Sequence, residues 1–174
     1  MWIGEHLVMK MVLACGANHA PDHLIMLFLC TYCFLLRLPS EALPIVWKDS
    51  PSTIEGKATM FMENNTLVLL LARRPQRRRE CTNRERCAAC VGVRRKNKPE
   101  GSRIERPCWC QNSPDTCPVH VLGRWLEDQP NGARPWARVH PCAARDDLRR
   151  LLGHLKVPNH MAYRTHDLRR GEWY

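Results

Sequence analysis

Two basic side chains near the end of the sequence have the spacing of a phosphate-binding pair. His166 and Arg169 lie three residues apart in Thr165-His166-Asp167-Leu168-Arg169, so on a helix both would face the same way. Thr165 suits the N-cap of that helix, and Asp167 suits its first turn. Helix starts attract anions, an arginine fork can hold two phosphate oxygens, and histidine adds a donor or proton carrier near neutral pH. The pair predicts a phosphate contact, although an exposed helix start without a ligand has the same pattern.

A second constellation has the donor types of a zinc site. Cys108 and Cys110 form a Cys-x-Cys pair, and after six further residues Cys117 and His120 form Cys-x-x-His. Three thiolates and one imidazole are a common tetrahedral ligand set for Zn²⁺. The four residues therefore predict a structural zinc ion, with His120 in the first turn of the following helix. The alternative is that some of these cysteines are simply buried apolar thiols.

Residues 75–95 interrupt the apolar patterning of the chain. The run Arg77-Arg78-Arg79 is followed by Cys81, Cys87 and Cys90, and basic sequences flank both borders. We interpret this segment as an insertion or irregular loop, or as sequence that a mature transcript would lack. Cys87-x-x-Cys90 is an alternative pair of metal ligands. The arginines suit a nuclear-import or phosphate-contact patch as well as a solvated loop.

The elements around these residues predict a mainly helical α+β fold with a small antiparallel sheet. Helices are expected from Asp22, as a possible cap, to near Pro39, and over residues 117–128 and 146–155. The first of these is apolar nearly all round and should lie at the centre of the domain, with Ile3 to Cys15 packed on it. The loop 129–142 separates the other two helices. Short apolar runs between residues 45 and 71, with the turn Asn64-Asn65, predict the strands.

Charge and composition restrict the class of protein. The chain has 174 residues, 44% of them hydrophobic and 25% charged, which excludes a wholly disordered or collagen-like chain and favours one domain. Residues 1–70 carry 4 basic and 6 acidic side chains, and residues 71–174 carry 23 and 11. Positive charge concentrated in one part of the chain favours a polyanionic partner, with nucleic acid as the first candidate, over a basic surface that only contacts solvent.

The sequence also bears on the cellular compartment of the protein and on whether it has a membrane partner. No secretory signal is visible at the start, so we expect a nuclear or intracellular protein that is not secreted, whose ten cysteines are not disulfide-bonded. The apolar run from His23 to Leu38 is about 15 residues long, short of the roughly 18–20 that a bilayer needs. We therefore expect no membrane partner and no organic cofactor.

Two segments resemble a known family. Leu35-Leu36-Arg37-Leu38-Pro39-Ser40-Glu41 resembles the first conserved box of the tyrosine recombinases, the phage-integrase family, in the version found in eukaryotic mobile elements. His166-x-Leu168-Arg169-Arg170-Gly171 resembles the second box. The usual spacing of the first box is Arg-x-x-Glu, and here Glu41 comes one residue later. The resemblance covers roughly residues 20–174.

The resemblance implies DNA breaking and rejoining through a 3′-phosphotyrosine intermediate, in site-specific recombination or integration. Arg37, His166 and Arg169 would hold the scissile phosphate and stabilise its transition-state charge. The family places a lysine on a hairpin turn of its sheet, where it protonates the leaving 5′ hydroxyl as a general acid. Three lysines of this sequence are candidates for that position, in this order: Lys96, Lys98 and Lys57.

The nucleophile of the family has no counterpart in this sequence. Its tyrosine lies tens of residues beyond the second box, whereas three residues follow Gly171 here. Tyr174 is too close, and Tyr163 and Tyr32 precede the box. We therefore expect residues 1–174 to be a single, C-terminally incomplete catalytic domain that binds DNA, is inactive alone, and belongs to a family that forms homo-oligomers on DNA. The alternative is a zinc-stabilised basic nucleic-acid-binding protein without catalysis.

Overall fold

Four α-helices and a four-stranded sheet form the described part of the chain, residues 3–54, 57–71, 102–108 and 114–170 of a computed structural model. The helices are α1 (Glu5–Leu13), α2 (Asp22–Phe34), α3 (Pro118–Glu127) and α4 (Pro141–His154). The strands are β1 (Val46–Trp47), β2 (Thr59–Glu63), β3 (Thr66–Leu71) and β4 (Ser102–Pro107). A π-helix spans Leu38–Ala42, and 3₁₀ helices span Pro114–Thr116, His160–Ala162 and Thr165–Arg170. The α+β prediction is confirmed.

Helix α2 is the centre of the fold, as its composition predicts. Every residue from Leu24 to Phe34 is buried, and the other three α-helices pack against it. Each large apolar side chain buried in this way contributes about 1.5–3 kcal/mol. The Thr31 hydroxyl donates to the Leu27 carbonyl at 2.8 Å, so its polar group is satisfied within the helix. Asp22 is the first residue of α2, and its carboxylate accepts from the Gly16 N–H at 3.1 Å instead of capping the helix.

The sheet has the order β1-β2-β3-β4 and is mixed, not wholly antiparallel. Strands β2 and β3 form the predicted hairpin, in which Asn64 and Asn65 both have positive φ, 50° and 59°. Two positive φ angles match the twist of a tight hairpin, and asparagine tolerates them. Strand β1 pairs parallel to β2, with Val46 opposite Thr59 and Trp47 opposite Met60.

Strand β4 is the element that the pattern of the sequence did not reveal. It pairs antiparallel with β3 at the edge of the sheet, and its residues alternate between half-buried and exposed. Arg103 on this strand is exposed and lies between Glu63 and Glu105. Charged side chains and a terminal proline are typical of an edge strand, and the same composition hides it from a search for apolar runs.

The C-terminal helices match those predicted from the sequence, except that the start of one helix is shifted. Helix α4 begins at Pro141 and not at residue 146, because proline is favoured in the first helical turn. The loop before it is held by Trp136, which is fully buried and donates its indole N–H to the His23 carbonyl at 2.8 Å. None of the helices in the described ranges is long and apolar enough to cross a membrane.

Candidate functional site

Arg37 reaches the surface through a left-handed turn at the end of α2. Leu35 adopts φ 53° and ψ 44°, and the Leu36 N–H returns to the Thr31 carbonyl at 3.0 Å. This pattern terminates a helix by satisfying its last carbonyls, and it usually employs glycine. Leu36 is buried beneath the turn and Arg37 is exposed. The turn therefore presents Arg37 at the carboxyl end of the central helix.

A π-helix fixes the backbone of Arg37. The Arg37 carbonyl accepts from the Ala42 N–H at 3.2 Å, five residues on, and from the Glu41 N–H at 2.9 Å. The Glu41 carboxylate, 1% exposed, accepts the Arg37 N–H at 2.7 Å. A π-turn is wider than an α-turn, so it places Glu41 and Ala42 within hydrogen-bonding reach of the Arg37 backbone. Glu41 thus binds the backbone of Arg37 and leaves the guanidinium at the surface.

His166 and Arg169 lie on a 3₁₀ helix of six residues, Thr165–Arg170. With three residues per turn, positions i and i+3 lie directly above one another, so the two side chains share one face. His166 is exposed and Arg169 is half-buried. The expected pairing is therefore retained in a different helix type.

The capping predicted for this segment is wrong in its detail. The Asp167 carboxylate, and not Thr165, makes the side-chain contact, accepting the Arg164 N–H at 2.8 Å. In return the Arg164 carbonyl accepts the Asp167 N–H at 2.9 Å. Since this helix is short and its start is occupied by a carboxylate, the N-terminal N–H groups supply no anion site. Phosphate binding at this segment would rest on the side chains of His166 and Arg169.

The 3₁₀ helix is anchored on α2. Leu168 is fully buried in the core, Asp167 is 6% exposed, and the segment packs against α2. The Ile3 N–H also donates to the Asp167 carbonyl at 3.3 Å. The segment with His166 and Arg169 therefore rests on the same helix whose carboxyl end leads to Arg37.

Several predicted site residues cannot be placed on this framework. Lys96 and Lys98 lie outside the described residues, as do Cys110 and the whole segment 75–95. Lys57 is exposed just before β2.

Three of the four predicted zinc ligands are neighbours. The Cys108 Sγ lies 3.6 Å from the Cys117 Sγ and 3.2 Å from the His120 Nδ1. A disulfide needs sulfurs about 2.05 Å apart, so the two cysteines are thiols. Both contacts are made by Cys108. Among the residues that the structure describes, no group of three or more His, Cys, Asp or Glu side chains closes around one point as a metal site.

A cysteine and an arginine that sequence reasoning missed connect this cluster to α2. The Arg106 Nε donates to the Cys33 carbonyl at 2.6 Å, and its guanidinium lies 5.7 Å from the centre of the Phe34 ring. Burial raises the pKa of the Cys33 thiol, nearby Cys117 raises it further, and Arg106 opposes them. No sequence signal marks Arg106 beyond its place in the charged strand β4.

Comparison with known proteins adds no relative to this chain. No family model matches it, and neither a curated protein nor a solved structure matches it. Its function is therefore argued from its own residues.

Proposed function

We propose that this chain binds DNA through Arg37, His166 and Arg169, as part of a catalytic domain of the tyrosine-recombinase type. The observation that carries the proposal is the packing of the Thr165–Arg170 helix on α2, whose carboxyl end leads to Arg37. Two segments far apart in sequence thus pack on one helix, which supports a composite phosphate site. Each segment is held by a buried carboxylate that accepts a backbone N–H: Glu41 accepts that of Arg37, and Asp167 accepts that of Arg164.

The three side chains have complementary chemistry toward a phosphodiester. Each guanidinium presents a planar fork of donors that fits two phosphate oxygens, and the imidazole adds a single donor. In a complete enzyme of this type the same groups would stabilise the negative charge that develops on phosphorus oxygens during strand transfer. A net charge of +10 favours approach to the DNA polyanion.

The described tyrosines do not suit attack on DNA by this polypeptide. Tyr32 is 3% exposed within α2, and burial raises its pKa to about 12. Tyr163 is half-buried and precedes the segment with His166 and Arg169, whereas the tyrosine of the family follows that segment. A covalent phosphotyrosine needs an accessible, activated nucleophile. We therefore expect residues 1–174 to bind DNA without forming a covalent adduct, which denaturing gel electrophoresis after incubation with labelled DNA would detect.

The decisive experiment compares two arginines of equal charge. Binding of a fluorescent DNA duplex to the full chain is measured by anisotropy at several salt concentrations. Arg37→Ala should weaken binding about 10-fold and reduce the slope of log affinity against log salt by about 1, as loss of one phosphate contact requires. Arg103→Ala is the control, because Arg103 is exposed but already lies between two carboxylates. Equal effects of the two substitutions would refute a specific phosphate site.

The second candidate function is a zinc-stabilised basic nucleic-acid-binding protein without catalysis. The proximity of Cys108 to Cys117 and His120 favours it. In such a protein many basic side chains would contribute to DNA affinity, and no single arginine would dominate it. Under this alternative His166→Ala would leave DNA affinity unchanged, whereas the first proposal expects a measurable loss.

A further inference from the structure

The Cys108 and Cys117 thiols are in contact between the end of β4 and the start of α3. Cys108 directly follows β4, and Cys117 is the N-cap residue of α3. Their sulfurs are 3.6 Å apart, whereas a disulfide bond needs about 2.05 Å. Within the described residues, the Cys117 side chain makes no capping hydrogen bond that would hold its sulfur on α3. An approach of about 1.5 Å, within the reach of side-chain rotation, would therefore bring the two sulfurs to bonding distance.

His120 supplies a proton acceptor beside this pair. Its Nδ1 lies 3.2 Å from the Cys108 Sγ. A thiol attacks as its thiolate, and an imidazole in contact with it can take up the proton. His120 lies in the first turn of α3, three residues after Cys117, so one helix start positions the acceptor and the second thiol. Cys108 thus has both a base and a second sulfur within contact distance.

Burial gives the two sulfurs different roles. Cys108 is half-buried, so a small oxidant can reach it, whereas Cys117 is 4% exposed. A third thiol near Cys117, that of Cys33, is 0% exposed, and burial raises its pKa. Buried thiols that keep their proton are inert. Cys108 is therefore the sulfur that meets an oxidant first, and Cys117 is the sulfur that can then bond to it.

We propose that Cys108 and Cys117 form a reversible disulfide by reaction with a hydroperoxide. The Cys108 thiolate attacks one oxygen of hydrogen peroxide, the O–O bond breaks, and His120 passes the thiol proton to the departing hydroxide, which leaves as water. The Cys108 sulfenic acid then reacts with the Cys117 thiol: the S–S bond forms, the S–O bond breaks, and the hydroxyl leaves with the Cys117 proton as a second water. Two thiols are oxidised, and one peroxide is reduced to two waters.

The bond ties the end of edge strand β4 to the start of α3. Arg106, two residues before Cys108, already holds the last turn of α2 through the Cys33 carbonyl at 2.6 Å. Oxidation thus replaces a contact between the sheet and α3 by a covalent link, next to the place where the sheet is held on α2. Disulfides in reducing compartments are usually transient, so a reversible bond is compatible with the expectation of an intracellular protein.

Oxidation of the full chain tests the proposal without DNA, so its failure and that of the DNA-binding proposal are distinguishable. The reduced protein, washed with chelator, is treated with about one equivalent of hydrogen peroxide. We expect its mass to fall by about 2 Da with loss of two titratable thiols, and dithiothreitol to restore both. A protease that cuts before Asp115, between the two cysteines, should give fragments that stay joined until reduction. The matched control is Cys142→Ser, which removes an exposed thiol and should form the bond at the wild-type rate.

Serine variants test each sulfur while keeping the size of the side chain. Cys117→Ser should leave Cys108 as a sulfenic acid that dimedone traps, and Cys108→Ser should leave Cys117 unoxidised. His120→Asn should slow formation of the disulfide by about 10-fold or more, and an unchanged rate in the folded variant would refute its role as the proton acceptor. The fragment map of the wild type decides even where a variant does not fold. Wild-type protein that keeps both thiols, or a bond from either cysteine to another partner such as Cys110, would overturn the proposal.

Discussion

At the scale of single residues, two buried carboxylates hold the segments that carry Arg37, His166 and Arg169. Each carboxylate accepts a hydrogen bond from a backbone N–H group. Glu41 receives the N–H of Arg37, and Asp167 receives that of Arg164. The spacing of His166 and Arg169 in the sequence suggested that pair, whereas Arg37 was suggested by the resemblance to the tyrosine recombinases. The sequence did not show how the backbone beneath them is held, since a carboxylate that caps a π-turn or a 3₁₀ turn has no distinctive spacing.

Replacement of Glu41 should therefore destabilise the fold, because its buried carboxylate holds a backbone N–H. Glu41→Ala leaves the Arg37 N–H without its 2.7 Å acceptor and empties a buried position. We expect a loss of about 1–3 kcal/mol in the free energy of unfolding, measured by urea denaturation. Glu105→Ala, at an exposed position on β4, should change it by no more than about 0.5 kcal/mol. A Glu41→Ala variant as stable as Glu105→Ala would contradict this role.

At the scale of elements, apolar periodicity predicted what lies in the core and failed at the edges. Helices α2 and α3 and the β2–β3 hairpin follow from apolar runs, helix starts and the Asn64-Asn65 turn. The charged strand β4 and the parallel pairing of β1 depend on partners distant in sequence, which local patterns do not report. The Thr165–Arg170 helix is likewise of the 3₁₀ type and packs on α2, neither of which the local sequence pattern indicates.

Leu168 is the apolar anchor of that 3₁₀ helix. Leu168→Ala would remove a fully buried side chain and should lower the free energy of unfolding by about 2–5 kcal/mol. It should also weaken DNA binding by protein that remains folded, because His166 and Arg169 flank the lost contact. The matched control is Met161→Ala, since Met161 is 62% exposed. Unfolding curves and anisotropy on the same samples separate the two effects, and DNA affinity unchanged in folded Leu168→Ala would contradict the second.

At the scale of the whole molecule, ionisable groups in and beside the central helix make stability sensitive to alkali. Burial, with a contribution from Asp22, raises the pKa of Cys15 from 9.0 to about 11, and burial raises that of Cys30 well above its usual value. Tyr32 is raised from 10.0 to about 12 by burial and by its neighbours Cys33 and Glu5. In each case the folded state holds the proton more tightly than the unfolded chain.

These raised pKa values predict that the free energy of unfolding is constant below about pH 9 and falls as pH rises toward 11–12. Urea midpoints measured from pH 7 to 11, with reductant and chelator present, should be level at first and then decline. Cys15→Ser should make the decline shallower, whereas Cys142→Ser, at an exposed position, should leave its slope unchanged. A midpoint that is level or rising up to pH 11 would contradict the assignment.

The hydrogen bond from Ile3 to the Asp167 carbonyl has a consequence for the order of events during biosynthesis. A ribosome makes residue 3 long before residue 167, and closing so long a loop is slow compared with forming a helix or hairpin. Helix α2 and the β2–β3 hairpin can form as they emerge, but the hydrogen bond between Ile3 and the Thr165–Arg170 helix can form only after residue 167 has been made. A nascent chain would thus acquire the position of Arg37 early, and the segment that carries His166 and Arg169 would reach its place on α2 only later.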